Sequence, residues 1–172
     1  MGILHTYQAE VAWTGAGEAG TTSYTSYSRD HDVSFVGKPA LPGSSDPAFR
    51  GDPSRYSPEE LLVAALAQCH MLWFLHLAAQ DGVVVVGYVD AAVGTMRVQA
   101  AGAGRFTQVV LRPRVTVRAA RPGSTAVDDA RLAALHARSA EHCFITRSVN
   151  FPVRTEPAPV QVEVPRPAVV HA

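Results

Sequence analysis

The amino-acid sequence predicts an α+β fold, in which an antiparallel sheet packs against a long buried central helix and a second helix. The first observation is an apolar stretch from Ser57 to Gly82 with a helix signal at each end. The second is the order of the other segments, since β-rich segments are grouped before and after this stretch. Such grouping is typical of antiparallel sheets. The length of 172 residues suggests one domain over residues 1–172.

The central helix has signals for both of its ends. Ser57 is a good N-cap, Pro58 suits the first turn, and Glu60 completes a capping box with Ser57. Gly82 supplies the stop. Apolar residues on nearly all sides predict a helix that is buried all round. The stretch approaches membrane-spanning length, but three polar residues interrupt it, so we expect a core helix and no membrane partner. These residues are Gln68, His70 and His76.

Three strands are predicted before the central helix, because β-branched and aromatic residues are frequent there. They are His5–Thr14, Thr22–Arg29 and His31–Val36. A loop rich in proline, glycine and serine is predicted over Gly37–Tyr56. Loops of this length often shape a functional site.

Alternating apolar residues predict more strands after the central helix, and a 3.6-residue spacing predicts a second helix that carries Cys143. Pro152 is expected to end that helix, and Gly87 and Gly94 are expected at β-bulges. Residues 165–172 are expected to form a loose tail. The predicted segments are a β-rich run in which Tyr88–Val98 extends the short apolar run Val83–Val86, the strands Arg105–Ala119 and Val160–Val164, and the helix Val127–Ser148.

Charge and composition argue against several classes of partner. The chain has 15 basic and 15 acidic residues, and this balance favours neither nucleic acid nor an anionic membrane. No signal peptide is visible, and two cysteines do not make a disulfide framework. We therefore expect a cytoplasmic protein in a reducing compartment, where paired cysteines are often redox-active or metal-binding.

Cys69 and Cys143 each have two interpretations. Buried structural cysteines are common, and this is the simpler one. A redox pair instead requires the two Cα atoms to lie roughly 4.4–6.8 Å apart. It also requires a positive group near the nucleophile, because the thiolate is the reactive form. Sequence alone does not choose among the candidate arginines, which are Arg29, Arg50, Arg55, Arg138 and Arg147.

A zinc site is a further alternative. Its potential ligands lack the C-x-x-C or H-x-x-x-H spacing of zinc sites, and adjacent residues on a helix point about 100° apart. We therefore expect no metal. The potential ligands are Cys69, His70, His76, His142 and Cys143.

The residues around both cysteines resemble the OsmC/Ohr family of thiol-dependent hydroperoxide reductases. Residues 57–62 (Ser-Pro-Glu-Glu-Leu-Leu), followed by alanine-rich turns and Cys69, are similar to the family's first cysteine motif, Asn-Pro-Glu-Glu/Gln-Leu leading to Ala-Cys. Residues 142–144 (His-Cys-Phe) are similar to its second, in which proline usually follows the cysteine. The resemblance covers nearly the whole chain, and it implies an OsmC-like fold and an intertwined homodimer with sites at the interface.

The resemblance also implies roles for particular residues. Cys69 would be the peroxidatic cysteine and Cys143 the resolving one. Glu59 matches the family glutamate that lies ten positions before the reactive cysteine. Arg50 matches the arginine of the OsmC branch, whereas Arg29 would suit the Ohr branch, and we favour Arg50.

The implied activity is a cysteine-dependent peroxidase that reduces organic hydroperoxides, with hydrogen peroxide as a second candidate, in oxidative stress defence. The Cys69 thiolate would become a sulfenic acid, which Cys143 would resolve as a disulfide. An external dithiol, often a lipoylated protein in the family, would reduce that disulfide. No cofactor is implied. The rival is a non-catalytic, stress-associated dimer that binds an apolar ligand at its interface.

Two departures from the motifs indicate a divergent OsmC-like subgroup. His70 replaces the usual phenylalanine, and Phe144 replaces the usual proline. On one helix Glu59 and Cys69 lie about 15 Å apart along the axis, so Glu59 would act through an arginine or from a partner chain. Candidates to line a pocket for an organic peroxide are Met71, Leu72, Trp73 and Phe74.

Overall fold

The structure is a computed structural model that describes residues 2–100, 102–119 and 126–163. The chain forms two compact units, residues 1–62 and 63–172. The element order is βββ-α-ββββ-α-ββ, which confirms the predicted α+β class. The predicted tail over residues 165–172 lies outside the described residues, and the expectation of one domain stays a prediction.

The first unit contains a three-stranded antiparallel sheet. Its strands, in order across the sheet, are β1 (Glu10–Trp13), β2 (His31–Ser34) and β3 (Leu41–Gly43). β1 is shorter than the predicted strand His5–Thr14. β3 lies inside the predicted loop Gly37–Tyr56, which also contains a 3₁₀ turn over Pro47–Phe49.

The predicted strand Thr22–Arg29 is wrong, because this segment forms turns. Ser26 Oγ donates to the carbonyl oxygens of Gly20 and Ser23, and it accepts a hydrogen bond from the Ser23 N–H. Serine side chains that bond to nearby backbone groups compete with a strand ladder. Here these local bonds outweigh the β-propensity of the neighbouring tyrosines and threonines.

The central helix, α1, runs over Pro58–Gln80, and the predicted end signals are confirmed. The Glu60 N–H donates to Ser57 Oγ at 3.2 Å, and the Ser57 N–H donates to the Glu60 carboxylate at 2.8 Å. These two bonds form the capping box. Gly82 has a φ of +69°, the left-handed conformation that commonly follows a helix C-terminus.

One face of α1 is buried in the single chain. Its buried residues are Leu66, His70, Phe74, Leu77 and Ala78, at the spacing of one helix face. The opposite side is open, since Leu72 is 60% exposed. One copy of the chain therefore does not provide the burial on all sides that the sequence predicts.

By length and composition α1 could cross a membrane, with a mean hydropathy of 1.7 over its most apolar window. It is the one such helix in the part of the chain that the structure describes. Its buried face, however, contributes Phe74 and Leu77 to the hydrophobic core. In the single chain α1 therefore packs one face against the core, and 28% of its most apolar window is buried.

The second unit contains two three-stranded sheets. Its strands are β4 (Val85–Asp90), β5 (Val93–Val98), β6 (Gly104–Leu111), β7 (Pro113–Arg118), β8 (Val153–Thr155) and β9 (Gln161–Glu163). One sheet has the order β4-β7-β9 and the other β5-β6-β8. β4–β7 and β5–β6 are antiparallel pairs, but β6–β8 and β7–β9 are parallel, so these sheets are mixed rather than antiparallel throughout.

Two predicted β segments are divided in the structure. The strand predicted over Arg105–Ala119 becomes β6 and β7, and the β-rich run from Val83 to Val98 becomes β4 and β5. β6 and β7 separate at Arg112, whose N–H donates to Asp90 Oδ1 at 2.7 Å instead of to a neighbouring strand. β8 has no counterpart in the sequence prediction.

The two glycines predicted at bulges have different outcomes. The bulge at Gly87 is confirmed, because the register of β4 on β7 shifts immediately before it. The bulge at Gly94 is wrong, since the shift in the β5–β6 pair lies between Thr95 and Met96. Gly94 instead allows a close approach, because a Cβ atom there would lie 2.6 Å from Val63 Cγ2 on α1.

The second helix, α2, runs over Asp129–His142 and ends earlier than the predicted Ser148. Cys143 is its C-cap, with ψ of 110°, so the cysteine follows the helix and does not lie within it. The next residues form a 3₁₀ turn over Thr146–Ser148. Two β-branched residues, at positions 145 and 146, lower the helix propensity there.

The hydrophobic core lies in the second unit, where side chains of α1 and α2 pack with those of β7. Its buried members are Phe74, Leu77, Ala78, Val83, Val115, Val117, Leu132 and Leu135. Within residues 2–62, by contrast, no apolar side chain larger than glycine is buried.

Candidate redox-active cysteine site

The structure brings Cys69 and Cys143 together. Cys69 lies near the middle of α1 and is partly exposed, whereas Cys143 at the end of α2 is fully buried. Both are free thiols, and they are close enough for the Cys143 thiol to raise the pKa of Cys69. The pair therefore has one thiol that solvent reaches and one that it does not.

The backbone after α2 surrounds the two sulfur atoms with N–H groups. The Thr146 N–H donates to Cys143 Sγ at 3.5 Å, and the N–H groups of Ile145 and Phe144 lie near enough to Cys69 to lower its pKa. These residues follow the last helical residue, His142, so their N–H groups are not used within the helix. The early end of α2 therefore creates part of the site.

Burial raises the pKa of the Cys69 thiol above its ordinary value. The N–H groups of Ile145 and Phe144 act to lower it, because they stabilise the thiolate, and the Cys143 thiol acts to raise it. Within the described residues of the second unit, no basic side chain acts on this pKa. At neutral pH the group is therefore a thiol unless a cation approaches it.

Arg29, one of the two predicted arginines, is held within the first unit. Its Cζ lies 4.4 Å from the ring centroid of Tyr24 and 4.3 Å from that of Tyr27. Its guanidinium also donates to the carbonyl oxygens of both residues, at 2.8 and 2.7 Å. These contacts give Arg29 a structural environment.

Arg50, the favoured arginine, is less constrained. Its side chain is exposed, and its Cζ lies 6.0 Å from the ring centroid of Tyr24. Its φ of 67° makes it the one non-glycine residue with positive φ in the described chain. This left-handed conformation is that of the C-cap of the 3₁₀ turn, where the Arg50 N–H donates to the Pro47 carbonyl oxygen. Among the described residues, Arg50 has no carboxylate partner.

The other three candidate arginines have partners of their own. Arg55 forms ion pairs with Asp30 and Asp32. Arg138 forms an ion pair with Asp81 at 2.7 Å. Arg147 donates to the backbone carbonyl of Glu141 at 3.3 Å.

Glu59 lies in the first turn of α1, and its Oε2 is a buried oxygen with no hydrogen-bond donor among the described residues. A buried carboxylate oxygen is costly without a donor. Because α1 is continuous between Glu59 and Cys69, the two side chains are separated by about 15 Å along the helix axis.

The potential zinc ligands do not converge. His70 is buried and its Nε2 lies 3.0 Å from His136 Nδ1, whereas His76 and His142 contact Trp73. Within the described residues, no group of three or more His, Cys, Asp or Glu side chains is placed to bind a metal ion.

An aromatic cluster, which the sequence did not reveal, lies beside the cysteines. The Trp73 ring, one turn after Cys69, lies 5.1 Å from His142 and 5.4 Å from Phe144, so it contacts both neighbours of Cys143. The i, i+4 spacing of Cys69 and Trp73 was the available signal. A shallow cavity of about 190 Å³ is lined by Leu72, Trp73 and His76. Phe74, predicted to line such a pocket, is instead fully buried in the core.

The chain is similar to one protein family over most of its length. A family profile described as OsmC-like protein matches residues 51–157. The structure of an OsmC-like protein of unknown function from Vibrio cholerae is 33% identical in sequence, and the alignment covers 90% of this chain and 100% of that chain with a TM-score of 0.78. The chain therefore belongs to the OsmC-like family. No curated protein matches it in sequence.

Two further solved structures have the same fold at lower identity. An organic hydroperoxide resistance protein OsmC from Legionella pneumophila is 16% identical, with 95% and 100% of the two chains covered and a TM-score of 0.65. An organic hydroperoxide resistance protein from Elizabethkingia anophelis is 12% identical, with 95% and 100% covered and a TM-score of 0.63. These likenesses confirm the predicted OsmC-like fold.

Proposed function

We propose that this chain is a cysteine-dependent peroxidase that reduces organic hydroperoxides in the cytoplasm. The single observation that carries the proposal is the contact between a partly exposed Cys69 and a fully buried Cys143. This arrangement suits a peroxidatic thiol that meets the substrate and a resolving thiol that does not. Two solved structures of the same fold bear the name organic hydroperoxide resistance protein, which supports the substrate class.

The proposed cycle needs no cofactor or metal. The Cys69 thiolate attacks the distal oxygen of the hydroperoxide, the O–O bond breaks, and an alcohol leaves after protonation while Cys69 becomes a sulfenic acid. The Cys143 thiol then attacks this sulfur, and the disulfide forms with loss of water. An external dithiol, such as that of a lipoylated protein, reduces the disulfide by exchange.

The exposure of the two sulfur atoms sets the direction of that exchange. The incoming dithiol attacks the sulfur of Cys69, because Cys143 is inaccessible to solvent. Cys143 then leaves as a thiolate, and the Thr146 N–H at 3.5 Å stabilises its charge.

Arg50 supplies the cation that the Cys69 thiolate needs. Among the described residues, Arg50 has no carboxylate or carbonyl partner that fixes its position, whereas Arg29 has two carbonyl partners. Glu59 positions the guanidinium, because its buried Oε2 lacks a donor in the single chain. This assignment applies whether Arg50 and Glu59 belong to the same copy of the chain as Cys69 or to a partner copy.

The active form is a homodimer. The first unit buries no apolar side chain larger than glycine, and its sheet carries exposed residues such as Val11 and Trp13. A three-stranded sheet without a covered apolar face is only marginally stable. The open side of α1 also leaves apolar surface exposed. A second copy of the chain covers both surfaces.

Stopped-flow oxidation with cumene hydroperoxide and with hydrogen peroxide tests the function, with dihydrolipoamide as the reductant. We expect the wild-type chain to turn over and the Cys69→Ser variant to be inactive. The Cys143→Ser variant should consume one equivalent of peroxide and then stall.

Steady-state turnover by Cys69→Ser would contradict the proposal. Slow loss of both thiols in the wild type, without turnover, would favour the rival function, a non-catalytic dimer that binds an apolar ligand.

A further inference from the structure

A buried pair of histidines links the two elements that carry the cysteines. His70 on α1 and His136 on α2 are 1% and 3% exposed, and His70 Nε2 lies 3.0 Å from His136 Nδ1. We refer to this hydrogen bond as the histidine bridge. Its rings are almost parallel, with an interplanar angle of 8°.

The surroundings of the histidine bridge keep it uncharged. Phe74 stacks on His136 with a centroid distance of 4.3 Å, and Tyr88 from β4 lies 6.5 Å away. Burial lowers the pKa of both histidines to about 4. At neutral pH one imidazole therefore donates and the other accepts, as a single short bond between α1 and α2 requires.

The histidine bridge has a fixed relation to both cysteines. His70 directly follows Cys69 on α1, and His136 lies on α2 seven residues, about two turns, before Cys143, which directly follows that helix. At the other end of α1, Asp81 bonds to Arg138 and Arg131 of α2. The register of α2 on α1 is thus set by polar bonds at two levels, and the bridge is the one beside Cys69.

We propose that His70 and His136 are positioning residues, whose hydrogen bond sets the spacing of Cys69 and Cys143 and so favours their disulfide. This inference deepens the proposed function, since it concerns the resolving step. The side chains touch neither substrate nor reacting atoms, and they act through the helices that carry the sulfurs. An apolar side chain at position 70 or 136 could fill the same space, but it could not form the hydrogen bond that fixes the register of α2 on α1.

Equilibration with glutathione tests the inference at pH 7 without any peroxide. Glutathione disulfide takes two electrons and two protons from the Cys69 and Cys143 thiols, which become one disulfide, and two molecules of glutathione form. The ratio of oxidised to reduced protein at known glutathione concentrations gives the effective concentration of one thiol towards the other.

Three paired variants separate bonding from packing. The pair His70→Phe with His136→Phe keeps ring volume but loses the bond, and we expect the effective concentration to fall roughly five- to tenfold. The pair His70→Gln with His136→Asn places amide groups near the Nε2 and Nδ1 positions, and it should remain within about twofold of wild type, since an amide pair can remake the bond. The swapped pair, His70→Asn with His136→Gln, has the same composition in the wrong geometry and should behave like the phenylalanine pair.

An unchanged effective concentration in the swapped pair or in a folded phenylalanine pair would overturn the inference. Circular dichroism identifies the folded variants, and His5→Gln, which changes an exposed histidine of the first unit, is the control that should match wild type. Because the readout is a thiol equilibrium, absence of peroxidase activity would refute the proposed function and leave this result intact. Normal peroxide turnover with no change among the paired variants would refute only the positioning role.

Discussion

Two arginines of the first unit illustrate how the environment of a residue decides its role. Arg29 lies between the rings of Tyr24 and Tyr27 and donates to both carbonyl oxygens, so its charge stabilises the local turns. Arg50 has neither constraint and has a left-handed backbone conformation. The first environment suits a structural arginine and the second a functional one.

Arg50→Ala should slow the reaction of Cys69 with cumene hydroperoxide by about tenfold for each unit by which the thiol pKa rises. The physical reason is the loss of the cation that, in the proposed site, offsets the effect of burial on the pKa of Cys69. The measurement is the rate of Cys69 alkylation by iodoacetamide as a function of pH, which reports the thiol pKa directly.

Arg29→Ala is the matched control. It should lower the free energy of unfolding by about 1–2 kcal/mol, because one cation–π sandwich and two hydrogen bonds are lost. It should leave the pKa of Cys69 unchanged in urea-free buffer. A shift of that pKa in Arg29→Ala, with none in Arg50→Ala, would assign the activating role to Arg29.

At the scale of elements, the two helices differ in how far the sequence specifies their ends. The start of α1 is set by Ser57 and Glu60, which bond to each other three residues apart. The end of α2 is set at Cys143 by the turn that follows it, where backbone N–H groups face the two thiols. The start of α1 is a local pattern. The end of α2 involves Cys69, which lies 74 positions before Cys143, and the sequence prediction therefore extended α2 too far.

The histidine bridge should make stability depend on pH. The pKa of His70 and of His136 is lowered to about 4 in the fold, against 6.5 in the unfolded chain, so only the unfolded chain binds protons between these values. The free energy of unfolding should therefore fall as pH drops from about 6.5 to about 4, by about 2 kcal/mol per histidine at pH 4.5. Urea unfolding at pH 7 and pH 4.5 measures this loss.

The pair His70→Gln with His136→Asn is the control for this prediction, because amides do not titrate. Burial raises the pKa of the nearby Asp90, and this shift makes stability rise as pH falls, the opposite of the effect of the histidines. Burial also raises the pKa of Tyr88, which therefore stays neutral between pH 4.5 and pH 7. Asp90 and Tyr88 are present in both proteins, so the difference in stability loss between wild type and variant is due to the two histidines. Equal losses of stability in the two proteins would contradict a neutral bridge.

At the scale of the whole molecule, exposed apolar surface is the feature that one copy of the chain leaves unexplained. The core and its buried side chains lie in the second unit, and the first unit contributes no buried apolar side chain larger than glycine from residues 2–62. Exposed apolar surface of this extent usually marks an interface. This is the physical basis for proposing a homodimer.

Light scattering at micromolar concentration should give about twice the chain mass of 18.3 kDa. Leu72→Glu, on the open side of α1, should shift the protein towards monomer, because it places a charge in an apolar interface. Val162→Glu on β9 is the control, since Val162 is 50% exposed against 60% for Leu72. A wild-type monomer at this concentration would contradict the homodimer.

The sequence by itself determined the α+β class, both ends of the central helix and the family resemblance, because these depend on residue types at short, fixed spacings. It also singled out the two cysteines. The tertiary structure decided that Cys143 follows α2, that His70 bonds to His136, and that Trp73 contacts both neighbours of Cys143. These contacts join residues far apart in the chain, and no local spacing encodes the distance between two packed helices.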